Sequence, residues 1–401
     1  MQEGQLKKHF TFFSLYIAQS VPMSLFSTLL PVLMRQDNFS LTSIGLLQLI
    51  KLPWIAKFLW APLVDKQTFG LFSYKRWIFY SEIIYALLIL MIAFLDLKVN
   101  FILIMCLIIL SFVASATQDI ATDALTAISF KRKDRSWGNS MQSMGSFAGS
   151  LVGGGLLLVL YKYIGWTLML VGLSVFLILM LLPLASYRDR RFAGRMDCIP
   201  ISMKDILLFF KQPNIFSQLV FLFLFNGGLI GTLAMMKPWM VDLGYPIGEI
   251  GLIFSIFGSL SGCLGSFLSG YTIRRIGRES AAILYACSIL FTTALFFSLS
   301  SMGMLVGSWL YVAIFCLWFC YGLSTVLVYT IAMDYVRVGR EGTDFTLQIV
   351  LMHVGSMIIA IGSGKLADKM GYSTLFLFEI SLALLSLLYV STHFKKILRW
   401  I

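Results

Sequence analysis

Apolar runs of roughly 20 residues recur about twelve times along this chain, separated by short polar or basic stretches. Each run is long enough to cross a ~30 Å hydrocarbon slab as an α-helix. The pattern predicts spans at 10–34, 44–64, 77–95, 101–127, 137–160, 167–186, 214–236, 249–271, 280–300, 305–332, 345–366 and 372–394, numbered 1 to 12 below. Twelve crossings of about 21 residues use about 250 positions, which leaves short loops and no room for a large soluble catalytic domain. The longest interruption, 187–213, divides the chain into an amino-terminal six-helix bundle (1–186), a linker and a carboxy-terminal six-helix bundle (214–401). The expected fold is an all-α integral membrane protein in two pseudo-symmetric halves.

Composition agrees with that pattern. Of 401 residues, 59% are hydrophobic and 12% charged, against ~45–50% and ~25% in soluble domains. Disorder and a disulfide scaffold fit poorly. The net charge of +12 would suggest nucleic acid on a soluble protein, but here the basic residues sit in loops, where they set orientation. With the N-terminus placed in the cytoplasm, cytoplasmic segments hold 23 Lys and Arg and the opposite side 6, with Lys51 and Lys57 inside span 2. Both termini and the linker are therefore expected on the cytoplasmic side. Lys7 and Lys8 precede an apolar stretch too long for a cleaved leader, so it reads as span 1. Cys106, Cys263, Cys287, Cys316 and Cys320 lie in apolar spans, where cysteine behaves as a small hydrophobe.

Ionisable groups inside hydrocarbon cost several kcal/mol each and need an explanation. Span 2 carries Lys51, Pro53, Lys57 and Pro62 and ends at Asp65; span 4 ends Gln118-Asp119-Ile-Ala-Thr-Asp123. At 1.5 Å per residue, Lys57 and Asp119 both lie about 12 Å from the cytoplasmic ends of their helices. Opposite charges at equal depth make an ion pair, which is either a static tie or a group that responds to protonation. Asp119 and Asp123 share a helix face at i,i+4. Asp123 lies nearer the interface, where Lys75, Arg76 or Arg132 could meet it. Asp65, Arg76 and Asp123 form a candidate gating cluster, with Asp334 and Arg274 or Arg278 as its second-half counterpart. Lys51 either snorkels outward or attracts anions to a cavity. The two prolines should kink span 2. Other cavity candidates are Gln19, Gln142, Asn226, Gln348 and His353, although a lone histidine in a bundle is more often an interhelical tie. Glu82 and Glu379 are read as reaching the interface. No phosphate-binding Gly-rich loop, hydrolase set or metal constellation is present, so no cofactor is expected and a gradient would have to drive transport.

The halves echo each other. Ile44-Gly45-Leu46 and Ile250-Gly251-Leu252 are 206 positions apart, as are Tyr163-Ile-Gly165-Trp166 and Lys369-Met-Gly371-Tyr372. Six plus six spans with parallel repeats and a basic middle loop resemble the major facilitator superfamily. The strings Lys57-Phe-Leu-Trp60-Ala-Pro62-Leu-Val-Asp65, Ala116-Thr-Gln118-Asp119-Ile-Ala-Thr-Asp123 and Gly138-Asn139-Ser-Met-Gln142-Ser-Met-Gly145 resemble one subgroup. It contains muropeptide permeases of the AmpG type, acetyl-CoA transporters and siderophore permeases. The resemblance covers roughly residues 44–166 and implies proton-driven import from periplasm to cytoplasm across a bacterial inner membrane. It marks Lys57, Gln118, Asp119 and Asp123 as the first residues to test. Muropeptide permeases are often longer and commonly carry an Arg near the position of Phe147, whereas the length and the Gly138-Asn139 to Gln142 stretch fit the siderophore branch. The expected partner is a small-molecule substrate, left open between peptidoglycan fragments, siderophores and an acyl-CoA-like anion, and a monomer in the lipid bilayer is expected. The rival readings are a membrane-embedded acyltransferase and a non-transporting sensor or scaffold.

Overall fold

A computed structural model describes residues 2–36, 47–66, 71–187, 202–303 and 307–398, and no strand occurs among them. The Ile44-Gly45-Leu46 repeat element, Cys198 and the linker residues Arg188, Asp189, Arg190, Arg191, Arg195 and Asp197 lie outside the described residues.

Nine helices among the described residues are long and apolar enough to cross a bilayer. Two of these carry two spans each. Spans 5 and 6 run within residues 132–186, and spans 8 and 9 within 248–301. The joints are Gly165 (φ 72°) and Gly277 (φ 83°), left-handed conformations that a residue with a Cβ adopts only at a cost. Span 2 is the exception to long helices. It runs as a 3₁₀ turn Leu47–Lys51, a helix Leu52–Ala56, a second 3₁₀ turn Lys57–Leu59 and a helix Ala61–Lys66. Pro53 and Pro62 have no N–H to continue an α ladder, so the segment breaks where the sequence places them. Counting span 2 and both double helices gives the twelve crossings.

Two compact units make up the chain. The first comprises Met1–Lys131, Gly145–Ile206 and Arg337–Thr346; the second comprises Arg132–Met144, Leu207–Val336 and Leu347–Ile401. Each unit thus includes a short segment from the other half of the sequence. In the first unit Phe26, Tyr85, Ile89, Phe112, Leu170 and Leu173 form the apolar core. Span 5 approaches span 1 to backbone distance, since a Cβ on Gly153 would stand 2.1 Å from the Val21 carbonyl oxygen. Close crossings at small residues are how helices associate in lipid, where no hydrophobic force separates them from solvent. In the second unit spans 8 and 10 cross the same way, with Gly265 against the Phe319 carbonyl and Gly322 against that of Gly262. Leu87, Met91, Leu110 and Leu179 remain exposed, as faces turned to lipid require.

Candidate substrate and coupling site

The carboxy-terminal half of span 4 (helix Phe101–Ser129) carries buried Ser111, Ser115, Gln118, Asp119, Thr122, Asp123 and Thr126. Steps of three and four residues put them along one side of the helix. Thr122 and Thr126 hydroxyls each donate to the carbonyl four residues back, at 2.8 Å. That leaves the carboxylates of Asp119 and Asp123 to seek partners on other helices.

Asp119 finds Lys57. The ammonium donates to Asp119 Oδ2, and the two side chains are 3% and 4% exposed. The 3₁₀ turn that the span 2 prolines enforce delivers Lys57 to this place. The Trp54 ring lies 5.0 Å from the Lys57 nitrogen, within cation–π range. Trp60 Nε1 donates to Thr117 Oγ1 at 3.1 Å, a second tie between spans 2 and 4. Gln118 Nε2 donates to the Leu15 carbonyl at 3.5 Å. Gln118 Oε1, on the residue before Asp119, and Gln19 Nε2 of span 1 are buried without a hydrogen-bond partner among the described residues, an amide acceptor and an amide donor held in reserve. Lys51 is half-buried at the other end of span 2.

The remaining cavity candidates lie in the second unit. Gln142 is buried. Asn226 sits at the break between the span 7 helices Ile215–Leu224 and Gly227–Asp242, with its Oδ1 unpartnered among the described residues. Gln348 is fully engaged in a tie: it accepts from Gln218 Nε2 at 3.1 Å and donates to the Ala332 carbonyl at 2.9 Å. His353 lies on an exposed face of span 11.

The first-half charge cluster differs from the expected one, while of the two arginines expected for Asp334 it is Arg278 that meets it. Asp65 does not meet Arg76 or Asp123. It accepts from Tyr74 Oη at 2.8 Å, from the amides of Gly342 and Thr343 at 3.1 and 2.7 Å, and from Thr343 Oγ1 at 2.6 Å. Asp65 therefore caps the first turn of span 11 (helix Glu341–Met370), where free amides and the helix dipole favour an anion. A Cβ on Gly342 would come 2.8 Å from Asp65 Oδ1. Arg76 is exposed and joins no carboxylate among the described residues. Asp123 accepts from Tyr16 Oη of span 1 at 2.9 Å, and Lys75 donates instead to the Tyr187 carbonyl. In the second unit Asp334 takes Arg278 and, at 3.0 Å, Arg135, while Arg274 turns to Asp134 at 3.3 Å. The short helix Lys204–Phe209 after the linker is held by Asp205, which receives Arg340 and lies beside Arg337. Burial works against ionising Asp205, but the Ser202 amide and the two guanidinium groups outweigh it and hold the carboxyl below its usual range.

Glu82 and Glu379 do not reach the interface: both are 0% exposed. Glu379 Oε1 accepts from Ser363 Oγ at 2.8 Å, in a space that exists because position 231 is glycine, where a Cβ would lie 2.0 Å from that oxygen. Neither oxygen of Glu82 has a partner among the described residues. Tyr16, Arg135, Gln218 and Thr343 carry interhelical ties that the sequence pattern does not single out. Tyr16 had one usable signal, a hydroxyl three residues before Gln19 on the same helix face; the Thr343 amide had none. No group of three or more His, Cys, Asp or Glu fit to hold a metal occurs among the described residues.

This architecture matches known proteins. The chain is 25% identical to the anhydromuropeptide permease of Escherichia coli (strain K12) over 383 residues, covering 91% of this chain and 75% of the permease. Among solved structures, an outward-facing bacterial homologue of the iron transporter ferroportin superposes with a TM-score of 0.72 at 17% identity, covering 98% of both chains. The proton:xylose symporter XylE gives 0.71 at 12% identity, covering 98% of this chain and 95% of that one. At such identities the two structures speak for the fold alone. The family model of the Major Facilitator Superfamily matches residues 12–358. A twelve-span helical chain that fits this model over most of its length is a membrane permease rather than an enzyme, and it belongs to the Major Facilitator Superfamily.

Proposed function

We propose that the chain is a proton-coupled importer that carries an anhydromuropeptide-like solute, a sugar bearing a short peptide, into the cytoplasm by alternating access. The observation that carries this reading is the Lys57–Asp119 pair, buried at the break of span 2. Protonation of Asp119 removes the charge that holds Lys57. The freed ammonium and the spare amide groups of Gln19 and Gln118 then have reason to engage an anionic, amide-bearing solute. The identity to the Escherichia coli permease supports that solute class.

The capping of span 11 by Asp65 and the Arg135–Asp334–Arg278 cluster act as gates in this reading. Both join segments from different halves of the sequence. A transporter that exposes its site to the cytoplasm has to release them. The charge asymmetry of the loops supports a topology with both termini in the cytoplasm, and in this reading the protein works as a monomer in a bacterial inner membrane. The chain spans three quarters of the muropeptide permease; the Gly138-Asn139 to Gln142 stretch keeps a siderophore as the second substrate class.

The test is uptake of a radiolabelled anhydromuropeptide into proteoliposomes under an inward proton gradient. Accumulation that collapses when a protonophore is added supports the reading. Accumulation that is indifferent to the gradient, or found only with a siderophore, contradicts it.

A further inference from the structure

Span 3 ends at Ala93 and span 4 begins at Phe101. In the turn between them Asp96 Oδ1 accepts from the amides of Lys98 and Val99, at 2.9 and 3.1 Å, a local bond of the kind that fixes Asp in tight turns. Asp96 Oδ2 has no partner among the described residues. Against this turn stands the joint of spans 5 and 6, where Gly165 takes φ 72°. The Trp166 ring is pinned there, since its Nε1 donates to the Ile92 carbonyl at 3.3 Å. Between turn and joint lies a cavity of about 410 Å³, within the ~300–1,000 Å³ of small-molecule sites. Its lining belongs wholly to the first unit. Asp96, Lys98, Tyr161 and Thr167 bring it one carboxylate, one ammonium and two hydroxyls, and Phe94, Leu97 and Trp166 bring it an apolar side.

The setting says what kind of molecule reaches this cavity. Phe94, Tyr163 and Leu168, on or beside the lining residues, are exposed, as are Val99 and Ile102. Exposed apolar side chains at the ends of spans, mixed with Trp and Tyr, mark the membrane–water interface. We propose that the cavity seats the headgroup of an aminophospholipid, a primary ammonium joined to a phosphodiester. The ammonium goes to Asp96, whose Oδ2 is open. The phosphodiester goes to Lys98 and to the hydroxyls of Tyr161 and Thr167, and the glycerol and first methylenes lie on Phe94, Leu97 and Trp166. Charge selects this class. An anionic phospholipid brings nothing for the Asp96 carboxylate to bind, and a choline headgroup has no N–H to donate to it. With both termini in the cytoplasm, as proposed above, the site lies in the periplasmic leaflet; its chemistry depends neither on the leaflet nor on the transported solute.

The test is native mass spectrometry of the purified full chain in detergent, offered equal amounts of dioleoyl-phosphatidylethanolamine and dioleoyl-phosphatidylglycerol. An ion pair at an exposed carboxylate is worth up to about fivefold in affinity, so the first lipid retained should favour the ethanolamine lipid by about three- to fivefold. Asp96→Asn keeps an oxygen for the amides of Lys98 and Val99 and removes only the charge. It should bring the ratio to about one. No preference in the wild type, or an unchanged preference in Asp96→Asn, overturns the proposal. Thr167→Trp, at an exposed lining position, is the second variant: it fills the cavity and should abolish the preference, and an unchanged ratio overturns the assignment to this cavity. O-phosphoethanolamine, the headgroup without acyl chains, should leave the lipid bound at tenfold excess. Displacement by it would assign the cavity to a soluble zwitterion and overturn the lipid.

Discussion

Replacing Lys57 by Met leaves the Asp119 carboxylate buried without its ammonium. Both side chains are almost wholly desolvated, so the cost is that of an uncompensated buried charge, about 3–5 kcal/mol. Replacing both residues, Lys57→Met with Asp119→Leu, removes the two desolvation terms together. Such swaps are often neutral, or stabilising by about 1–4 kcal/mol. Thermal unfolding in detergent should therefore show the single variant strongly destabilised and the double variant near wild type. Transport then decides what the pair is for. A static tie between spans 2 and 4 predicts a double variant that accumulates solute as wild type does. The coupling role predicts a double variant that folds well and accumulates none. Wild-type accumulation by the double variant would refute the coupling argument, and a single variant costing under about 1 kcal/mol would refute the claim that the pair is desolvated.

Further predictions concern the gates, the packing and the linker. Asp65→Asn loses a charge at the start of span 11, so about 0.5–2 kcal/mol of capping is expected to go, read as a lowered Tm and as faster labelling of a cysteine placed at position 343. Gly153→Val drives a side chain into the Val21 carbonyl 2.1 Å away; overpacking costs of about 1–3 kcal/mol should show as lost monodisperse protein on size exclusion. Asp205 is held below its ordinary range by Ser202, Arg340 and Arg337 despite burial. Its contribution to stability is thus present above the ordinary carboxyl pKa of about 3.9 and disappears as pH falls through the lower folded value. The Tm difference between wild type and Asp205→Asn should shrink below roughly pH 4 and hold constant from there to neutrality; a difference that grows in acid would reverse the assignment.

The parts of this structure that are legible in sequence are those set by length and depth. A constant rise per residue places Lys57 and Asp119 at one level, and the break at Pro53 and Pro62 follows from proline chemistry. The parts that are not legible depend on backbone groups and on where helices begin. The partners of Asp65 include two amides, which carry no residue-specific signal. Of the two arginines expected for Asp334, Arg278 takes it and Arg274 meets Asp134, because Gly277 breaks the helix between them and one lies before the turn, the other after it. Span 3 begins at Leu71 rather than at 77, which moves Glu82 more than a turn deeper than its position in the apolar run suggests. Glu379 is hidden by a cavity that a glycine on another helix provides, and no local pattern reports such a fit.

The central claim is that solute movement is linked to a proton at the Lys57–Asp119 site. It is tested most directly by adding anhydromuropeptide outside proteoliposomes that contain a pH-sensitive dye and recording the lumenal pH. The account predicts acidification that depends on solute and is absent in Asp119→Asn, while that variant still exchanges labelled for unlabelled solute. Solute entry in the wild type without any change in lumenal pH, or acidification of equal size in Asp119→Asn, would contradict it.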